Sequence, residues 1–269
     1  MRYLKYKKSY LWQYSIVCLL LWLCPTLSLA LDMSKAAQPI PVALGNSFCA
    51  YPGTINAIFY NPANLATYQA EEIQVTTHRF GSQNYQSLAL MTEYMDFNLG
   101  LGLTQNEQDS IYYLASGKKI KKGLYLGTSL KYSESNSSQL NKNISFDLGV
   151  VYRLHRRLRL GFSIQNPFVW ALNSQVFNAV NYKFGVWWRQ KRLILVADLD
   201  YYNYENLIYH LGVEYRITKN LALRSGLDNG LLTAGFGYKL APLNFDMSWH
   251  RNRDNDQENV YRFSLALKL

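Results

Sequence analysis

Charge is in short supply in this chain. Only 17% of its residues are charged, below the usual quarter, while 49% are hydrophobic, which excludes a disordered polypeptide. Cysteine is scarcer still, with three in 269 residues, so a disulfide scaffold is excluded and little is left for a zinc site. The histidines, His78, His155, His210 and His250, are scattered without metal-ligand spacing, and no metal or cofactor is expected. Acid is the minority charge, 18 Asp+Glu against 28 Lys+Arg for a net +10. Arg2, Lys5, Lys7 and Lys8 supply part of that excess; without them the balance is 24 to 18, or +6, an ordinary value that gives no case for a nucleic-acid partner. No nucleophile–base arrangement and no carboxylate pair placed for acid–base work is present. Gly235-Phe236-Gly237 is no nucleotide loop, because no helix follows it. The chain reads as a non-enzyme, and its length fits one all-β domain or two small ones.

What is present begins with an address. Residues 1–30 carry a basic stretch ending at Lys8, an apolar run from Leu11 to Cys24, and Ser28-Leu29-Ala30. This pattern predicts a signal peptide cleaved near Ala30. The run is too short for a helix that crosses a bilayer comfortably, which needs about 20 residues. Cleavage removes Cys18 and Cys24 and leaves Cys49 with no partner for an internal disulfide.

Beyond the leader the dominant period is two. Tyr261, Phe263, Leu265 and Leu267 alternate with Arg262, Ser264, Ala266 and Lys268. The same alternation runs through residues 144–153, 158–165, 207–217 and 243–250, and it means strands with one apolar and one polar face. Fourteen strands are predicted, at 71–80, 84–94, 96–106, 110–118, 122–134, 142–154, 157–166, 180–190, 192–202, 206–217, 220–228, 231–240, 242–251 and 258–269. Most are about ten residues long, the length a tilted strand needs to cross a bilayer. The predicted connections sort by parity. The three longest gaps, 135–141, 167–179 and 252–257, follow odd strands, and tight turns such as Thr218-Lys219-Asn220, Ala241-Pro242 and Leu154-His155-Arg156 follow even ones. Basic clusters at 118–122, 155–157 and 189–192 fall on the even-turn side. An all-β, antiparallel transmembrane barrel of about fourteen strands, residues 71–269, in the outer membrane of a Gram-negative-type bacterium accounts for all of this, with outer-membrane lipid as its surroundings. Its many aromatics are then read as interfacial girdles.

Residues 31–70 lack sustained alternation and hold Pro39, Pro41, Pro52 and Pro62. A free tail would expose Ile55, Ile58, Phe59 and Tyr60, a patch that soluble surfaces avoid. The expectation is an N-terminal plug inside the lumen, with those four residues along one side of a hydrophobic passage. A polar cluster is expected on the wall. If Thr218-Lys219-Asn220 is a three-residue turn, Glu214 lies opposite Arg224 on the lumen side, with Asp246 two strands further. Asp198 and Asp200 also face inward on one strand, where ion pairing is the expected use.

Residues 56–66, Asn-Ala-Ile-Phe-Tyr-Asn-Pro-Ala-Asn-Leu-Ala, resemble the N-terminal segment of the FadL-like outer-membrane proteins, in which an Asn-Pro-Ala motif ends the plug before strand one. Here that motif is Asn61-Pro62-Ala63. Glu214-Tyr215-Arg216, the run 221–226, Gly235-Phe236-Gly237-Tyr238, Asp246 and the run 261–267 resemble the PorV/PorQ-type branch of that superfamily. The chain is short for the family and has Leu269 where such barrels usually end in an aromatic. The resemblance implies a fourteen-stranded barrel whose plug shifts to open a path for hydrophobic small molecules such as fatty acids. The PorV-like branch implies the alternative, an accessory role in type IX secretion or surface attachment of exported proteins, with secretion-system or exported proteins as partners.

Overall fold

The computed structural model describes residues 37–81, 83–135, 141–172, 180–202, 206–251 and 258–269. The expected signal peptide, residues 1–30, and residues 31–36 of the expected plug lie outside these residues. Fourteen strands follow one another: β1 Glu72–Phe80, β2 Gln83–Tyr94, β3 Phe97–Gln105, β4 Asp109–Lys121, β5 Leu124–Ser135, β6 Asn141–His155, β7 Leu158–Ala171, β8 Asn181–Gln190, β9 Leu193–Tyr202, β10 Asn206–Arg216, β11 Leu221–Asp228, β12 Leu231–Leu240, β13 Leu243–Arg251 and β14 Asn259–Lys268. Each pairs antiparallel with its neighbours, and β1 closes on β14 in a register running from Glu72↔Lys268 to His78↔Arg262. Closure removes both sheet edges. Among the described residues no helix is long and apolar enough to cross a membrane.

Alternation sets the two faces of the wall. On β14 Arg262, Ser264 and Ala266 are buried inward while Tyr261 and Phe263 are exposed on the outside. On β10 Tyr209, Leu211 and Tyr215 point out, and His210 and Glu214 point in. Phe162 on β7 and Phe184 on β8 are register partners on the exposed outer face. Leu158 and Leu160 share that face of β7.

The turns after even strands are short: Met95-Asp96, Lys122-Gly123, Arg156-Arg157, Lys191-Arg192 and Ala241-Pro242. They lie at the same end as the start of β1 and the finish of β14, here the turn end. At the opposite, loop end the β11–β12 connection, Asn229-Gly230, is equally tight. Both residues there have positive φ, 48° and 87°, the backbone that a two-residue hairpin needs.

β4 and β7 outrun their predicted ends the most. β4 continues to Lys121, through a register shift between Lys119 and Lys121. β7 continues past Gln165 to Ala171, so part of the expected 167–179 loop is strand. Proline at 167 argued for a stop. The strand tolerates it because the register with β6 jumps there, from Asp147↔Gln165 to Ser145↔Val169. A bulge is where a proline without a donor fits, and Asn166 enters it with φ 53°.

Candidate functional site

Residues 37–70 are held against the inward faces of the strands. They include short helices at Pro39–Ala43 and Ala57–Tyr60 and a 3-10 turn at Pro62–Thr67. Close approach is made possible by missing side chains on the wall. Gly117, Gly127, Gly149 and Ser163 are successive register partners across β4–β7, and the pairs Gly161–Gly185 and Gly212–Gly226 continue the low-relief row. A Cβ at Gly117 would come within 2.7 Å of Pro62 O, at Gly161 within 2.6 Å of Cys49 C, and at Gly212 within 2.5 Å of Leu44 O. At Gly149 it would strike the Asn61 side chain. A Cβ at Gly235 would meet that of Ala43 at 2.6 Å, whereas at Gly237 it would meet Arg224 Nη1 at 2.8 Å. Gly235 thus makes room for the inner segment and Gly237 for the ion cluster.

Polar contacts anchor the first half of the segment to β9–β12 and to β1. Asp198 Oδ2 accepts the backbone N–H groups of Phe48 and Cys49, each at 2.7 Å, and its other oxygen accepts Ser47 Oγ at 3.1 Å. The sequence marked Asp198 as an ion-pairing residue; its main use is to satisfy main-chain donors. Asp200 does pair, with Lys183, and lies 3.5 Å from His210 Nε2. His210 Nδ1 donates to Gly45 O at 2.8 Å, and Gly45 N donates to Thr233 at 3.1 Å. Gln38 accepts from Gln74 and Thr76 of β1 at 3.1 and 2.6 Å.

The motif residues join the two halves. Asn61 is extended (φ −146°, ψ 103°), and its Oδ1 accepts from Ala63 N at 3.1 Å to cap the 3-10 turn that begins at Pro62. Its Nδ2 donates to Cys49 O at 2.7 Å, and Asn64 Nδ2 donates to the same oxygen at 2.9 Å. Ala63 packs with Tyr125 and Val151 of the wall. Cys49 is a buried free thiol. Burial, and next to it the Asp198 carboxylate, push that thiol well above its usual range.

The second half meets a different wall. Ile55, Ile58 and Leu65 form one apolar cluster with Ala89, Met91, Ile111, Tyr113 and Ala115, inward residues of β2 and β4. Phe59 packs on that cluster, edge-on to Tyr113 at 5.0 Å. Tyr60 does not join them. It turns to Phe48, 5.3 Å away, beside a second cluster that contains Tyr51, Trp187, Ile194 and Val196. A four-residue helix points consecutive residues in different directions, so Phe59 and Tyr60 separate.

Glu214 and Arg224 are direct register partners on β10 and β11. Arg224 Nε donates to Glu214 Oε2 at 2.8 Å and Nη1 to Asp246 at 2.6 Å. Glu214 also accepts from Arg216 at 2.8 Å and from Tyr51 Oη at 2.8 Å, which ties the cluster to the inner segment. Beside it a cavity of about 100 Å³ opens at the turn end, bordered by Tyr51, Tyr68, Glu72, Glu214 and Arg216. The lumen therefore has an apolar side at β2–β4 and a charged side at β8–β13.

The sequence reading missed the glycine row and the apolar inner face of β2 and β4. The first had a signal, glycines recurring inside long alternating strands. Among the described residues no group of three His, Cys, Asp or Glu side chains is placed to hold a metal ion.

No family's sequence pattern and no curated protein sequence matches the chain. Solved structures do. The CymD monoaromatic hydrocarbon channel matches with TM-score 0.65 and 13% identity, over 89% of this chain and 99% of that one. A Pseudomonas aeruginosa FadL homologue matches with TM-score 0.63 and 12% identity, over 90% and 99%. The P. putida toluene transporter TodX matches with TM-score 0.62 and 11% identity, over 87% and 99%. At such identities the likeness is one of fold.

Proposed function

We propose that the chain is an outer-membrane barrel of the FadL-like type that lets hydrophobic small molecules cross the membrane passively, and that residues 31–70 act as its plug. The observation that carries this reading is the apolar cluster inside the barrel. Ile55, Ile58, Phe59 and Leu65 face Ala89, Met91, Ile111 and Tyr113 across the lumen side of β2 and β4. A barrel lumen that only carried ions or water would favour polar lining there. The structural neighbours are named as a monoaromatic hydrocarbon channel and a toluene transporter, and they support the same class of cargo.

The cargo would travel along the β2–β4 side, displacing the segment 55–67 from its apolar seat. The charged side would hold the segment 38–51 in place. Contacts there are hydrogen bonds to Asp198, His210, Thr233 and Glu214, which are directional and costly to leave unmade. The molecule needs no catalytic group for such a role.

The test is uptake of a fluorescent long-chain fatty acid and of a monoaromatic hydrocarbon into liposomes. Wild type is compared with a deletion of residues 31–60 and with Asn61→Ala. Uptake by the wild type that changes in either variant supports the proposal. A correctly inserted barrel that passes neither probe in any form rejects it and leaves the accessory role in secretion ahead.

A further inference from the structure

The turn end carries a one-sided arc of positive charge that a hydrophobic passage does not use. Residues 118–122, 155–157 and 189–192 hold nine Lys and Arg and no Asp or Glu. They belong to three consecutive hairpins, β4–β5, β6–β7 and β8–β9, which are neighbours in the barrel. At about 4.8 Å per strand the arc is roughly 25 Å wide. The rest of the turn end is mixed in sign, with exposed Glu71, Glu93 and Asp96 alongside exposed Lys219, Lys239 and Lys268.

Pairing separates these cations from those of the lumen. Lys131 meets Asp147 at 2.5 Å, Lys183 meets Asp200, and Arg216 and Arg224 both meet Glu214. Of the nine in the arc, among the described residues, only Lys118 meets a carboxylate, Asp96 at 3.6 Å. Lys119, Lys121, Lys122, Arg156, Arg157 and Lys191 are exposed. Like charges crowded in this way repel one another unless a counter-charge is brought in.

The apolar outer wall runs directly into the arc. Ile120, 50% exposed, sits between Lys119 and Lys121, and Leu154, 51% exposed, sits between Arg153 and His155. Tyr152 lies on the outer face one step further into the wall. An acidic soluble protein docked end-on would satisfy the charges but leave Ile120, Leu154 and Tyr152 in water. A leaflet satisfies both, with acyl chains on the wall and phosphates at the level of the cations. We infer that this arc binds the headgroups of anionic phospholipids in the leaflet at the turn end. The inference rests on the membrane reading above, but not on any cargo.

The full barrel is reconstituted into mixed phosphatidylglycerol–phosphatidylcholine vesicles, and the lipid that contacts it is read with spin-labelled versions of each. Wild type should select phosphatidylglycerol by on the order of tenfold, less at high salt. A variant with Lys119, Lys121, Lys122, Arg156, Arg157 and Lys191 changed to Gln should lose the preference. A control with Lys219→Gln and Lys239→Gln, outside the arc, should keep it. An inserted wild type with no preference, or an arc variant that keeps it, overturns the inference and leaves the barrel reading intact. Failure to insert even into pure phosphatidylcholine overturns both. Binding of soluble polyglutamate that the arc variant loses, without any lipid preference, overturns it in favour of an acidic protein.

Discussion

Asn61 donates its side-chain amide to the main-chain carbonyl of Cys49 at 2.7 Å. The N–H of that same Cys49 is held by Asp198 of the barrel wall. A wall carboxylate, the first half of the inner segment and the Asn-Pro-Ala motif of the second half are thus linked through one residue. Breaking the link at either end should release the other.

Asp198→Ala removes the acceptor of two buried N–H groups. Each left unsatisfied costs about 1–3 kcal/mol. The readout is Cys49 itself, in a background with Cys18→Ser and Cys24→Ser. Alkylation needs the thiolate, and burial holds the thiol up, in its neutral form. Maleimide labelling should be very slow in this background and at least about tenfold faster once Asp198 is gone, because local opening becomes easier. An unchanged rate would mean that Asp198 does not hold the segment.

Gly149→Val tests the row of glycines. In an ordinary strand valine is preferred to glycine, so the barrel should gain stability. Here the new side chain would strike Asn61, and Ala63 N lies 3.1 Å from the added Cβ. The expected result is a loss of about 1–3 kcal/mol in a urea titration, as for other overpacked sites. Adding Asn61→Ala should recover part of it. A stabilised single variant would show that the wall and the segment do not touch there.

Phe162→Arg tests the outer wall. Phe162 is 41% exposed on the outside of β7. If that outside is lipid, the substitution should cost about 2–4 kcal/mol in vesicles. If it is water, arginine should be close to neutral. The measurement is the unfolding free energy of the lipid-embedded barrel, set against Ile217→Arg close to the turn, where the cost should fall toward zero.

These residues also show how much of the molecule could be read beforehand. Fourteen strands and their parity followed from alternation because an amphipathic wall must repeat every second residue. Alternation is weak along β2 and β4, and the reason is physical. Ala89, Met91, Ile111, Tyr113 and Ala115 face inward as apolar residues, so those strands are apolar on both faces and the contrast is lost. The Glu214–Arg224 pairing was legible because one turn sets a register locally. The contact of Asn61 with Cys49 was not, since it depends on how two halves of an irregular segment fold back on each other. The separation of Phe59 from Tyr60 was hidden for the same reason.

Arg224 is where wall and inner segment share one electrostatic unit. It serves Glu214 and Asp246 at 2.8 and 2.6 Å, and Glu214 in turn holds Tyr51 Oη at 2.8 Å. Arg224→Ala leaves two buried carboxylates short of a cation, and breaking such a group costs about 3–5 kcal/mol. Glu214→Gln should cost less, because the amide keeps an acceptor for Tyr51 and removes a charge. In a double-mutant cycle the two changes should couple by at least about 1 kcal/mol, as neighbours in one network do. Cys49 labelling decides what the network is for. If Arg224 only braces the wall, Arg224→Ala lowers stability and leaves labelling slow. If the cluster also restrains the segment through Tyr51, labelling rises together with the loss of stability, and Tyr51→Phe alone reproduces part of that rise. The second pattern is the expected one, because Tyr51 and Cys49 are two residues apart on a stretch that Asp198 pins at Phe48 and Cys49.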